Sequence, residues 1–169
     1  MTRNQYIAEA DAYLCEHRAL LSQAEDDEYL QLLYDERNKP DTDEDGNETP
    51  ISLELAKAYK ILQLRVYDAS TAVNNFYIGG NGKWLSPEER ANYLLTLQAA
   101  KEHGITHVPF AGVILPIETA LAALKAIDIY AMQCVGVTEA HTAAINALTS
   151  IEAAWAYDFK TGYPEILSF

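Results

Sequence analysis

The chain has 169 residues, 49% of them hydrophobic and 22% charged, and a chain of this size buries roughly 70% of the surface it exposes when unfolded, so a core needs neither disulfides nor a metal. Twelve Lys and Arg against 25 Asp and Glu leave a formal charge of -13, which repels phosphate backbones and anionic headgroups and speaks against a nucleic-acid or membrane partner. Cys15 and Cys134 lie outside any CxxC pair, no apolar run follows Arg3 as in an export signal, and no window approaches the ~18 apolar residues of a membrane span, so the chain reads as reduced and soluble.

Residues 1–50 carry 14 acids and 4 bases, and 51–169 carry 11 acids and 8 bases, which marks the first third as separable. Thr2 with Gln5 and Ser22 with Glu25 have capping-box spacing, and Ile7, Ala10, Leu14, Leu21, Leu30 and Leu33 recur at helical intervals. Residues 1–40 are therefore expected to form an N-terminal helical segment, one broken helix or two short ones, ended by Pro40. Residues 41–50 are acidic and polar and read as a linker or an ion loop. Asp41, Asp43 and Asp45 followed by Gly46 match the first half of a calcium loop, in which alternate oxygens surround a hard cation and Gly makes the turn. The second half departs from that pattern, with Glu48 at the apolar eighth position and Ser52 where a bidentate Glu belongs.

From Ile51 the positions Leu55, Tyr59, Leu62, Val66, Ala69, Val73 and Phe76 alternate steps of four and three, which predicts a long helix with a heptad seam. Such a seam serves either contact between subunits or the core of the chain itself. Phe76-Tyr77-Ile78 and Lys83-Trp84-Leu85 flank a glycine-rich turn and predict a β-hairpin. Ser86-Pro87-Glu88-Glu89 starts a helix that His103-Gly104 stops, and 106–115 form a candidate second hairpin turning at Ala111-Gly112. Pro116 opens an apolar helix to about Val135, Gly136 is expected to break it, Thr138 to cap another helix to Leu148, and Thr149 to cap a last short one. The fold class expected is mostly α, with one or two small antiparallel hairpins between helices, and residues 51–169 as the main domain.

Catalytic signatures are missing. There is no GxSxG, no phosphate-binding glycine loop at a helix start, and His103 and His107 are separated by Gly104 so that they do not share a helical face as zinc ligands would. Eleven Tyr and two Trp are a heavy aromatic load of the kind favoured in interfaces, and Tyr77 and Trp84 at the first hairpin are the candidate partner contacts.

Asn74-Asn75-Phe76-Tyr77-Ile78, a glycine turn, and Ser86-Pro87-Glu88-Glu89-Arg90-Ala91-Asn92 resemble a family of phage- and prophage-encoded domains of unknown function, which carry a similar step after a short hairpin. The stretch Ala140 to Thr149, then Ala156-Tyr157-Asp158 and Thr161-Gly162-Tyr163-Pro164, looks like that family's closing helix and ending, with Tyr163 where Trp is common. The resemblance covers about residues 51–166. It implies a non-enzymatic virion structural protein of a tail, baseplate or fibre, assembled in the bacterial host cytoplasm and resident in the virion, since family members are encoded beside or fused to tail-fibre and fibre-assembly genes. Other virion proteins and further copies of the chain are then the expected partners, with Leu55, Tyr59, Leu62, Val66, Ala69 and Val73 as the oligomer seam and no cofactor. The alternatives are a tail-fibre assembly chaperone absent from the finished particle, and a calcium-dependent binding module using Asp41, Asp43 and Asp45.

Overall fold

Thr2, Ser22 and Ser86 each start a helix in the computed structural model, which describes residues 2–169. In all three the hydroxyl accepts from the backbone N–H three residues on, while the side chain there (Gln5, Glu25, Glu89) returns the bond, so two helix-end donors are satisfied reciprocally. The helices are α1 (Arg3–His17), α2 (Gln23–Arg37), α3 (Leu53–Ala69), α4 (Pro87–Glu102), α5 (Ile117–Asn146) and α6 (Ile151–Ala156), and the strands β1 (Phe76–Ile78), β2 (Asn81–Lys83), β3 (His107–Phe110) and β4 (Val113–Pro116). The chain is mostly α, with two antiparallel two-stranded sheets, as the spacing predicts.

Two compact units result: Met1–Ala69 with Thr138–Thr161, and Ser70–Val137 with Gly162–Phe169. In the first, Tyr6, Ile7, Ala10 and Leu14 of α1 and Tyr29 and Leu33 of α2 turn inward against Leu55, Ala56, Tyr59 and Leu62 of α3 and Ala154 of α6. Residues 1–40 are therefore not a separate element: apart from the buried Arg3, Asp26 and Glu36, most of their charged residues face outward while their apolar stripes share a core with α3, and the boundary expected at residue 50 falls inside one unit. Arg3 ties α1 to the end of α2. Its guanidinium donates to the backbone carbonyls of Glu36, Lys39 (3.0 Å) and Pro40 (3.0 Å), where the negative end of the helix dipole favours a cation, and it pairs with the Glu36 carboxylate at 3.5 Å.

In the second unit, β1 pairs with β2 in the register Phe76↔Lys83, Tyr77↔Gly82, Ile78↔Asn81, around Gly79 and Gly80 at φ 55° and 80°, the positive values a two-residue hairpin turn requires. Trp84 and Leu85 follow the strand instead of belonging to it. β3 and β4 pair from His107↔Pro116 to Phe110↔Val113 across Ala111 and Gly112, both at positive φ. Tyr77 also exchanges backbone hydrogen bonds with Leu167 and Phe169, each 2.8 Å, so the chain's last residues lie alongside β1. Phe76, Ile78, Leu97, Phe110, Leu124 and Ile127 fill the core between hairpins and helices.

Two expected helix ends are corrected. α3 stops at Ala69 and does not run to Phe76, because Ser70 turns the chain: its carbonyl accepts from Val73 and Asn74 and its hydroxyl from Ala72. α5 does not break at Gly136 but continues for 30 residues, and α6 is capped by Ser150, whose hydroxyl accepts from Ala153. A single mid-helix Gly costs only about 1 kcal/mol against Ala, which a long helix with a buried face readily offsets. Because it is continuous, α5 is by length and composition long and apolar enough to cross a membrane, which corrects the expectation that no window comes close. A helix with one face in a core passes the same test, and Ala120, Leu124, Ile127 and Tyr130 are buried.

Candidate interaction surfaces

The seam expected to join subunits is filled by the chain's own helices. Leu55, Tyr59 and Leu62 are buried against α1 and α2, Val66 is buried, Ala69 is half-buried, and Val73 is buried beyond the end of α3, where its carbonyl accepts from the Tyr130 hydroxyl at 2.7 Å. This corrects the oligomer-seam reading: a stripe already covered on folding has no apolar area left to bury against a second copy.

Asp41, Asp43 and Asp45 are not brought together on one cation position. Asp41 sits 3.4 Å from the Arg3 guanidinium, and the Asp43 carboxylate is spent on its own loop, accepting from the backbone N–H groups of Asn47 (2.8 Å) and Asp45 (3.0 Å) and from the Asn47 side chain (3.2 Å). Those bonds, that of Asn47 foremost, hold its carboxyl below the usual range. Thr42 and Glu48 close the loop as an antiparallel bridge, and among the described residues no group of three or more His, Cys, Asp or Glu is placed to hold a metal ion. The structure thus does not assemble the three carboxylates that the calcium spacing suggests.

The partner-contact pair divides. Tyr77 is 43% exposed and its side chain is free for a neighbour, whereas Trp84 is half-buried, edge-on to Tyr130 at 6.3 Å and under the Arg90 guanidinium at 5.7 Å. Arg90 is itself anchored by Asp128 and the Leu85 carbonyl, both at 2.7 Å, so Trp84 serves the fold. Trp155 is the more open indole. It stacks on Tyr6 at 5.4 Å, and Tyr6 meets Tyr59 edge-on at 5.3 Å. Burial, with the nearby Glu9 carboxylate, pushes the Tyr59 hydroxyl up to about 12. Beside Trp155 lies a half-open cleft of about 360 Å³ that includes Glu48, Glu152, Thr49 and Pro50, which offers carboxylates and an indole but pairs no nucleophile with a base. His141 is engaged on both sides, Nδ1 2.8 Å from the Tyr157 hydroxyl and Nε2 2.8 Å from the Thr161 carbonyl, and so fastens residues 157–161 to α5.

The surface that sequence reasoning missed is the outer face of α5. Ile129, Met132 and Val135 are 45%, 68% and 54% exposed within two turns of one helix, a run of large apolar side chains where single exposed ones are ordinary. The expected break at Gly136 hid it, because the face becomes continuous only if the helix does. No family model, curated protein or solved structure matches the chain.

Proposed function

We propose that the chain is a non-enzymatic structural protein of a bacteriophage virion, a tail, baseplate or fibre component that works by self-association and contact with neighbouring proteins. The phage assignment rests on the resemblance of residues 51–166. The observation that supports contact as its work is the exposed apolar face at Ile129, Met132 and Val135 on α5. A surface of this kind gains free energy when another protein removes it from water. Mass spectrometry of purified particles of the phage that encodes the chain tests the reading: its peptides are expected in the particle at a fixed ratio to other tail proteins. Peptides found in the infected-cell lysate but not in the particle would instead make it an assembly chaperone.

A further inference from the structure

We infer that α5 is a homodimerisation helix, pairing antiparallel with α5 of a second copy about a two-fold axis at Met132. The inference deepens the self-association part of the proposed function and rests on it. Its starting point is a spacing on the exposed side of α5: Ala122, Lys125, Ile129, Met132, Gly136, Glu139 and Ala143 follow one another in alternating steps of four and three, and every one of them is exposed. That is the spacing of a helix-pairing seam.

The stripe is matched to its own reverse. With Met132 facing Met132 of the second copy, Ile129 faces Gly136, Ala122 faces Ala143, and Lys125, seven residues to one side, faces Glu139, seven residues to the other. The two-fold repeats each pair, so two opposite-charge pairs flank an apolar centre. Among the described residues neither Lys125 nor Glu139 has an ion-pair or hydrogen-bond partner in its own chain, whereas the neighbouring Asp128 and Glu118 are held by Arg90 and Lys101. A parallel pairing would set Lys125 against Lys125 and Glu139 against Glu139, so charge selects the antiparallel arrangement.

Gly136 supplies an independent argument. A side chain built there would meet no atom within 4 Å, so nothing in the chain's own packing requires a glycine, yet it sits inside a helix where it is costly. Opposite Ile129 of a second copy it leaves the room that the larger side chain fills. The paired stretch from Ala122 to Ala143 is about 32 Å long at 1.5 Å per residue. A contact of that length and a single helix width is smaller than the roughly 800 Å² per partner of standard interfaces, so a reversible dimer is expected, with dissociation in the micromolar range.

The test is analytical ultracentrifugation of the full chain over a concentration series, with Lys125→Glu, Glu139→Lys and the double swap. The wild type is expected to dimerise, each single swap to weaken dimerisation about tenfold or more by setting like charges together, and the double swap to restore it. As a geometric control, Met132→Cys in a Cys15→Ser background should cross-link to itself on oxidation while Ala122→Cys in the same background should not, because only residue 132 meets its own counterpart. A wild type that stays monomeric throughout the series overturns the inference, as does a dimer indifferent to both single swaps. Monomer that binds neutral phosphatidylcholine vesicles through α5 also overturns it and gives the face to lipid. None of these results alters whether the chain is found in the particle, so the virion reading stands or falls separately.

Discussion

α3 and α5 carry side chains at the same alternating steps of four and three, and the fold treats them in opposite ways. On α3 the stripe is covered by α1 and α2, and Leu55 and Leu62 lie in the core; on α5 one face enters a core while the stripe through Met132 remains exposed. Periodicity therefore identifies a face that seeks cover but not what covers it. The decisive difference is local supply: α1 and α2 present their own apolar faces to α3, whereas the outer stripe of α5 mixes Ile129 and Met132 with Lys125, Gly136 and Glu139. Leu62→Asp tests the α3 half of this comparison with the largest expected effect. It would bury an unpaired carboxylate in a packed core and cost about 4 kcal/mol or more, seen as loss of cooperative unfolding in urea. A variant that stays folded and merely changes its mass in solution would return the stripe to the subunit-seam reading.

Arg3 sharpens the comparison from the covering side, because it fastens α1 to the end of α2, the two helices that shield α3. Arg3→Met would leave Glu36, 1% exposed, without its buried cation and would remove the Arg3 bonds to the Lys39 and Pro40 carbonyls, the Glu36 carbonyl keeping the Lys39 N–H, and is expected to cost about 3–5 kcal/mol in urea unfolding. Glu36 adds a pH signature. Burial pushes its carboxyl up, but hydrogen bonds from Lys39 and Ser52 outweigh burial and set it below its ordinary value of 4.5. A carboxyl lowered on folding contributes stability that is fully present above pH 4.5 and is lost as pH falls through the lower folded value. The acid limb of stability against pH should accordingly be flatter in Glu36→Gln than in the wild type.

Much of the fold was legible because local chemistry decided it. The three capping boxes, Pro87 at a helix start and the Gly79-Gly80 and Ala111-Gly112 turns each act within a few residues, and the structure keeps all of them. What sequence could not show was decided over distance. Asp41, Asp43 and Asp45 have calcium spacing, yet Arg3, nearly forty residues away, takes one of them and the loop backbone takes another. Trp84 has the composition of a contact residue, yet Arg90 and Tyr130 occupy it. Gly136 misled for a related reason, since a glycine's propensity is weighed against a buried helical face that only the folded chain presents. The outer stripe of α5 was readable in principle from its spacing, once the helix was allowed to continue.

The smallest expected effect separates the two stripes most cleanly. Met132 is 68% exposed and belongs to no core, so Met132→Ser removes apolar surface from water without leaving a cavity, and the monomer's unfolding free energy should change by no more than about 0.5 kcal/mol. Leu62, with the same spacing and comparable size, cannot be changed so cheaply. The contrast has to be measured at low protein concentration, because a dimer that dissociates on unfolding adds its own association energy to the apparent stability. If α5 pairs as inferred, Met132→Ser leaves stability unchanged in dilute solution and lowers it progressively, relative to the wild type, as concentration rises. A loss of 2 kcal/mol or more in dilute solution, the range of a buried large-to-small change, would place Met132 in a core after all and remove the distinction between α3 and α5.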